Sequence, residues 1–171
     1  MNKTELPPVT LQPLGPCDLP VAVAVHAACF DPAWSEKSMA EITAMPGTFG
    51  FLAMAGAEPV GLALILALGK EAEILTLGVL PAVRRRGIGR LLLAACADRL
   101  ARGGGAKLML EVAQDNVAAQ ALYRATDFVE AGRRVGYYRR AAGTAVDAIL
   151  LARVIDSSLE ANEGDSVKPG Q

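Results

Sequence analysis

The stretch that most constrains this chain is residues 77–90, Leu-Gly-Val-Leu-Pro-Ala-Val-Arg-Arg-Arg-Gly-Ile-Gly-Arg. Strand-like residues pass through a basic, glycine-containing turn directly into the clearest helical pattern of the sequence, residues 88–102. That helix repeats Leu91, Leu92, Ala95 and Leu100 at helical spacing and ends on Gly103-Gly104-Gly105. A helix start presents unpaired N–H groups and the positive end of its dipole, so it favours an anion. Gly87 and Gly89 have no Cβ to hold ligand oxygens away from the backbone, and the arginines add charge-assisted hydrogen bonds. A diphosphate is the natural guest. A P-loop needs Gly-Lys-Ser/Thr, where this chain has Gly89-Arg90-Leu91, and a dinucleotide fingerprint needs a third glycine, where it has Leu92. Both fail on the letters, and the remaining alternative is a capped helix with basic surface decoration.

The flanking sequence extends this unit into a domain. Residues 72–80 read as the strand before the turn and residues 107–113 as the strand after the helix, so the two are expected to be parallel neighbours. Upstream, residues 9–14 read as a strand, Asp18-Leu19-Pro20 starts a helix through residue 30, and Ser35 caps a second helix containing Met39 and Ile42. Residues 48–55 and 59–68 form a hairpin. Downstream, Asn116 caps a helix through Arg124 with Val117, Ala121 and Leu122 inward, and residues 128–138 and 145–154 close as strands. The order β-α-α-β-β-β-α-β-α-β-β predicts a mixed α/β (α+β) fold, with helices packed on a mainly antiparallel sheet. One domain is expected over residues 9–154, with residues 156–171 a disordered, acidic tail.

Composition removes several classes of function. Among 171 residues, 52% are hydrophobic, which supplies a core and excludes a disordered chain. No apolar stretch is long enough to cross a bilayer as a helix, and the N-terminus lacks the pattern of a secretory signal, so a cytoplasmic protein is expected. Three cysteines without a Cys-x-x-Cys pair and a single histidine leave no material for a metal centre, and none is expected. Aromatic residues are 5%, too few for a nucleic-acid stacking surface. Residues 84–154 carry thirteen cations against six anions, whereas residues 1–83 carry three against eight. The positive half starts at the arginine run, which fits a phosphate-bearing ligand or a solvated surface.

Arg84-Arg85-Arg86-Gly87-Ile88-Gly89 resembles the Arg/Gln-x-x-Gly-x-Gly/Ala segment by which GNAT-type N-acetyltransferases hold the pyrophosphate of acetyl-CoA. Glu111-Val112, Asn116, the run from Ala118 to Tyr123, and Phe128 are similar to one branch, the ribosomal-protein-alanine (RimI-type) N-acetyltransferases. Cys29-Phe30, Trp34-Ser35-Glu36, Tyr137-Tyr138 and Asp147-Ala148 agree with the same branch. The resemblance implies that acetyl-CoA lies between two splayed parallel strands. Backbone groups of Leu77, Gly78 and Val79 would meet its pantetheine arm, Arg85, Arg86, Gly87, Ile88, Gly89 and Arg90 its pyrophosphate, and Asn116 the region near the thiol. It assigns Glu111 as general base and Tyr123 as the acid that protonates the leaving sulfur, with Tyr137 and Tyr138 near the acceptor. The residues by themselves leave Glu111 equally readable as a salt-bridged strand-end glutamate, and Tyr123 as a packed phenol. The implied acceptor is a protein N-terminus, that of a small-subunit ribosomal protein beginning with alanine. A small-molecule amine, a lysine side chain and a non-catalytic CoA-binding module are the alternatives, and oligomeric state is not indicated. Three positions depart from the branch pattern: Ala113 in place of arginine, Thr126-Asp127-Phe128 in place of Leu-Gly-Phe, and Arg139 in place of proline.

Overall fold

The computed structural model describes residues 6–139 and 143–155. Seven strands form one sheet: β1 (Val9–Pro13), β2 (Thr48–Ala55), β3 (Glu58–Leu68), β4 (Glu71–Val79), β5 (Lys107–Ala113), β6 (Val129–Arg139) and β7 (Ala145–Val154). Their spatial order is β1-β2-β3-β4-β5-β7-β6. Every neighbouring pair is antiparallel except β4 and β5, which are parallel. Four helices flank the sheet: α1 (Leu19–Cys29), α2 (Glu36–Thr43), α3 (Ile88–Arg102) and α4 (Val117–Arg124). This is the mixed, mainly antiparallel class expected. The segment 156–171, expected to be a disordered tail, lies outside the described residues.

The core divides by sheet face. Ala22 and Val25 of α1 and Met39 of α2 pack on Leu52, Leu62 and Leu64. A larger cluster brings Leu92, Cys96 and Leu100 of α3 against β3, β4 and β5, and Tyr123 and Phe128 join it. Two helical faces differ from expectation. In α3 the buried stripe is Ile88, Leu92, Leu93, Cys96, Ala97 and Leu100, and Leu91, one position off that stripe, is 45% exposed. In α4 Gln120 and Tyr123 are buried and Leu122 packs on the core as expected, whereas Val117 is 72% exposed and Ala121 is also outside. Its inner face is set by a buried amide and a phenol, which an apolar count passes over.

The β4–β5 ladder is short. Only Glu71↔Lys107, Ala72↔Leu108 and Glu73↔Met109 pair, and the backbone N–H groups of Ala106 and Lys107 both donate to the carbonyl of Lys70 at this closed end. Just beyond, β4 bulges: Ile65 of β3 faces Ile74 while Leu64 faces Thr76, leaving Leu75 as an extra residue. From there β4 and β5 separate, and a cleft opens toward Val79 and Ala113.

Candidate active site

The basic loop expected to hold an anion sits at the β4 side of this cleft. After β4 the chain makes one 3-10 turn, Pro81–Val83, and then two left-handed residues, Arg85 (φ 64°) and Gly87 (φ 83°). An arginine in that conformation costs on the order of 1–2 kcal/mol, which the surrounding loop must offset. Arg84 anchors the loop, its Nε donating to the carbonyl of Val79 at 2.9 Å. The same guanidinium reaches the Cys29 thiol, which burial raises above its ordinary range against the pull of the arginine's charge. Gly87 has no side chain to cap α3, and a Cβ built there would meet no atom within 4 Å. The N–H groups of Ile88, Gly89 and Arg90, in the first turn of α3, have no intrahelical acceptor, and Arg85 and Arg86 beside them are exposed. These residues fit a diphosphate.

The two other glycines of the segment serve packing. A Cβ on Gly89 would come within 2.9 Å of Leu122 Cδ2, so its bareness lets α3 approach α4. A Cβ on Gly78 would meet the Phe30 ring at 2.9 Å and Cys29 at 3.0 Å, so α1 lies directly on β4. Arg90 also makes a structural contact: its Nη2 donates to the carbonyl of Ala125 at 3.2 Å and ties α3 to the end of α4.

Glu111 stands on the opposite lip, beyond the last β4–β5 pair. Along β5, Leu108, Leu110 and Val112 are buried in the core while Glu111 points to the other sheet face. Its Oε1 lies 3.2 Å from Arg134 Nε in an ion pair, and the Glu111 side chain keeps 21% of its exposure. The Arg134 guanidinium also lies 5.2 Å from the centroid of the Tyr137 ring. Tyr137 is perpendicular to Tyr138, with centroids 5.2 Å apart.

Tyr123 is buried, its ring edge-on to Phe128 at 5.5 Å. Burial, and next the phenol of Tyr138, push its own phenol up to about 12. Asn116 caps α4, its Oδ1 accepting from the N–H of Ala119 at 3.2 Å, so the amide nitrogen is the part left to meet a ligand. At the end of the same helix Asp127 takes a left-handed φ of 66°, the conformation for which a glycine is usual.

Strand β6 thus reaches Glu111 through Arg134, and the charge of its Tyr138 bears on Tyr123. The sequence reading overlooked Arg134. It also overlooked Gln120, whose buried Nε2 donates to the carbonyls of Ala113 (3.2 Å) and Gln114 (2.7 Å), binding α4 to the end of β5. The only hint for Gln120 was a polar residue at an inward helical position.

Residues 20–128 match the acetyltransferase (GNAT) family. The chain is 40% identical over 138 residues to the N-alpha-acetyltransferase RimI of Mycobacterium tuberculosis, spanning 77% of this chain and 85% of that one. It is 34% identical over 143 residues to the ribosomal protein bS18-alanine N-acetyltransferase of Escherichia coli K12, covering 84% and 95% of the two chains. The crystal structure of the ribosomal-protein-S18-alanine N-acetyltransferase from Escherichia coli superposes with a TM-score of 0.81 at 32% identity, over 91% of this chain and 99% of that one. A splayed parallel pair, a basic loop feeding a helix and relatives matched over nearly their whole length converge: this chain belongs to the GNAT family of N-acetyltransferases.

Proposed function

We propose that this N-acetyltransferase moves the acetyl group of acetyl-CoA to the N-terminal α-amine of a protein, the alanine of a small-subunit ribosomal protein. The acceptor rests on one observation: two relatives matched over most of both chains carry names that specify Nα-acetylation, one of them naming a ribosomal protein alanine. Such an acceptor makes the cytoplasm the place of action. No helix among the described residues is long and apolar enough to cross a membrane.

In this reading the N–H groups of residues 88–90, with Arg85, Arg86 and Gly87, hold the diphosphate. Leu77, Gly78 and Val79 offer backbone groups to the pantetheine arm, and Asn116 offers its amide near the sulfur. An α-amine has a pKa near 8, so much of it is protonated at neutral pH and must lose a proton before it attacks. Glu111 takes that proton, directly or through one water, as the C–N bond forms and the C–S bond breaks. Tyr123 supplies a proton to the departing sulfur. A phenol at about 12 is a weaker acid than a thiol near 8.5, so transfer to a fully formed thiolate is uphill. Tyr123 therefore donates while the C–S bond is breaking.

The test is mass spectrometry of a synthetic ribosomal-protein N-terminal peptide incubated with protein and acetyl-CoA. One acetyl group on the α-amine is expected. Modification confined to an internal lysine, or transfer to small amines with none to the peptide, overturns the acceptor.

A further inference from the structure

We propose that Asp147 is a positioning residue for acetyl transfer: it pins a bulge in β6 and so holds Arg134 on Glu111. The inference rests on the roles proposed above for Glu111 and Tyr123.

The register shows the bulge directly. Arg134 faces Ala148 and Tyr138 faces Val146, so Val135, Gly136 and Tyr137 lie opposite Asp147 alone. Two surplus residues on one strand need something to fix their path. Asp147 supplies it. Its Oδ1 accepts from the backbone N–H of Gly136 at 2.9 Å, and Gly136 has a φ of 62°, where a side chain is disfavoured. Its Oδ2 is 3.6 Å from Arg133 Nη1, and that same nitrogen donates to Gln114 Oε1 at 3.2 Å. The carbonyl of Asp147 accepts from the N–H of Gln114, just past the end of β5. One residue thus links the bulge to the strand that carries Glu111.

The bulge leaves the alternation of faces intact and sets how far along β7 the residues after it lie. Ala113 and Ala148 are cross-strand partners, as are Ala148 and Arg134, so Arg134 shares the sheet face of Glu111. Without the two surplus residues, Tyr138 would face residue 144 instead of Val146. The Asp147 carboxylate makes no contact with Glu111 or Tyr123 in the described hydrogen bonds and ion pairs, so its effect passes through the backbone of β6.

The experiment uses the full chain as wild type, Asp147→Ala and Asp147→Asn. It reads peptide kcat and KM, acetyl-CoA affinity by calorimetry, and the NMR signal of the Arg134 Nε–H. Asp147→Ala is expected to lower kcat by on the order of tenfold to a hundredfold, the range for misplaced catalytic groups. Acetyl-CoA affinity should stay within about twofold of wild type, and the Arg134 signal should move toward that of a free arginine. Asp147→Asn keeps an acceptor for Gly136 and should restore most of kcat and the wild-type Arg134 signal. Should Asp147→Ala not fold, Gly136→Ala strains the same bulge with Asp147 intact and should shift the Arg134 signal alike. An unmoved Arg134 signal in the disrupting variant, or acetyl-CoA affinity falling in step with kcat, overturns the proposal. A wild type that acetylates no peptide overturns the acceptor reading instead, and the Arg134 signal still decides the role of Asp147.

Discussion

Arg134 and Glu111 meet across β7, their side chains paired at 3.2 Å on the same face of the sheet although that whole strand lies between their backbones. The carboxylate assigned as proton acceptor is thus held by a fixed cation while open enough to receive an amine.

Glu111→Gln keeps the size of the side chain and removes its basicity. Turnover is expected to fall on the order of a hundredfold or more, with acetyl-CoA affinity near wild type, because the anion loop lies on the other lip of the cleft. Steady-state kinetics with calorimetric titration checks this, and unchanged turnover removes Glu111 from the chemistry.

Tyr123→Phe preserves the ring on Phe128 and removes the proton donor. A loss of about tenfold to a hundredfold in kcat is expected. The folded phenol titrates near 12 and the unfolded one near 10, so its contribution to stability is intact below pH 10 and is lost as pH rises toward 12. Denaturant titrations between pH 9 and 11 should show a steeper alkaline decline for wild type than for Tyr123→Phe.

His26 predicts an effect at the other end of the scale. Burial lowers its pKa, its Nδ1 accepts from the Trp34 N–H at 3.3 Å, and its ring stacks on Trp34 at 4.7 Å. Below about 6.5 the unfolded chain takes up a proton that the folded imidazole resists, so stability declines with acidification from that point. The decline levels off once pH lies below the folded value. Thermal melts from pH 7 to 5 should show a larger drop for wild type than for His26→Gln, which cannot titrate there.

Asp127→Gly relieves a left-handed residue at the end of α4. A gain of about 0.5–1 kcal/mol in unfolding free energy is expected, with kcat unchanged, since Asp127 touches none of the residues assigned to chemistry. Urea denaturation with a constant m-value would establish it. A loss of stability would show that the carboxylate itself contributes to the turn.

The strand-turn-helix unit at residues 77–90 was legible in the sequence because it is local: strand, turn, glycine and helix follow within fourteen residues, and the bounds of α3 and β5 are those read from the letters. The surroundings of Glu111 were not. Strand alternation predicts facing only while register is regular, and β6 slips once between Glu130 and Gly132 and again between Arg134 and Tyr138. The first slip, of one residue, changes which side chains share a face, and the second, of two, moves those beyond it along β7, so the pairing of Arg134 with Glu111 depends on a register far from either residue's local sequence. The packing demand on Gly89 was hidden for a related reason: a Cβ there would meet Leu122, thirty-three residues away. The bulge at Leu75, which starts the divergence of β4 from β5, has no distinctive residue to announce it.

The three-rung contact between β4 and β5 has a mechanical consequence. Beyond Glu73 and Met109 the sheet has an internal seam, where backbone amides and carbonyls in the middle of the domain lack strand partners. A ligand arm carrying its own amides can bridge that seam as a substitute strand. Binding should then stiffen two half-sheets that the free protein joins only at one end. Amide hydrogen exchange should slow on saturation with acetyl-CoA in residues 74–79 and 110–113 together, the two sides behaving as one unit.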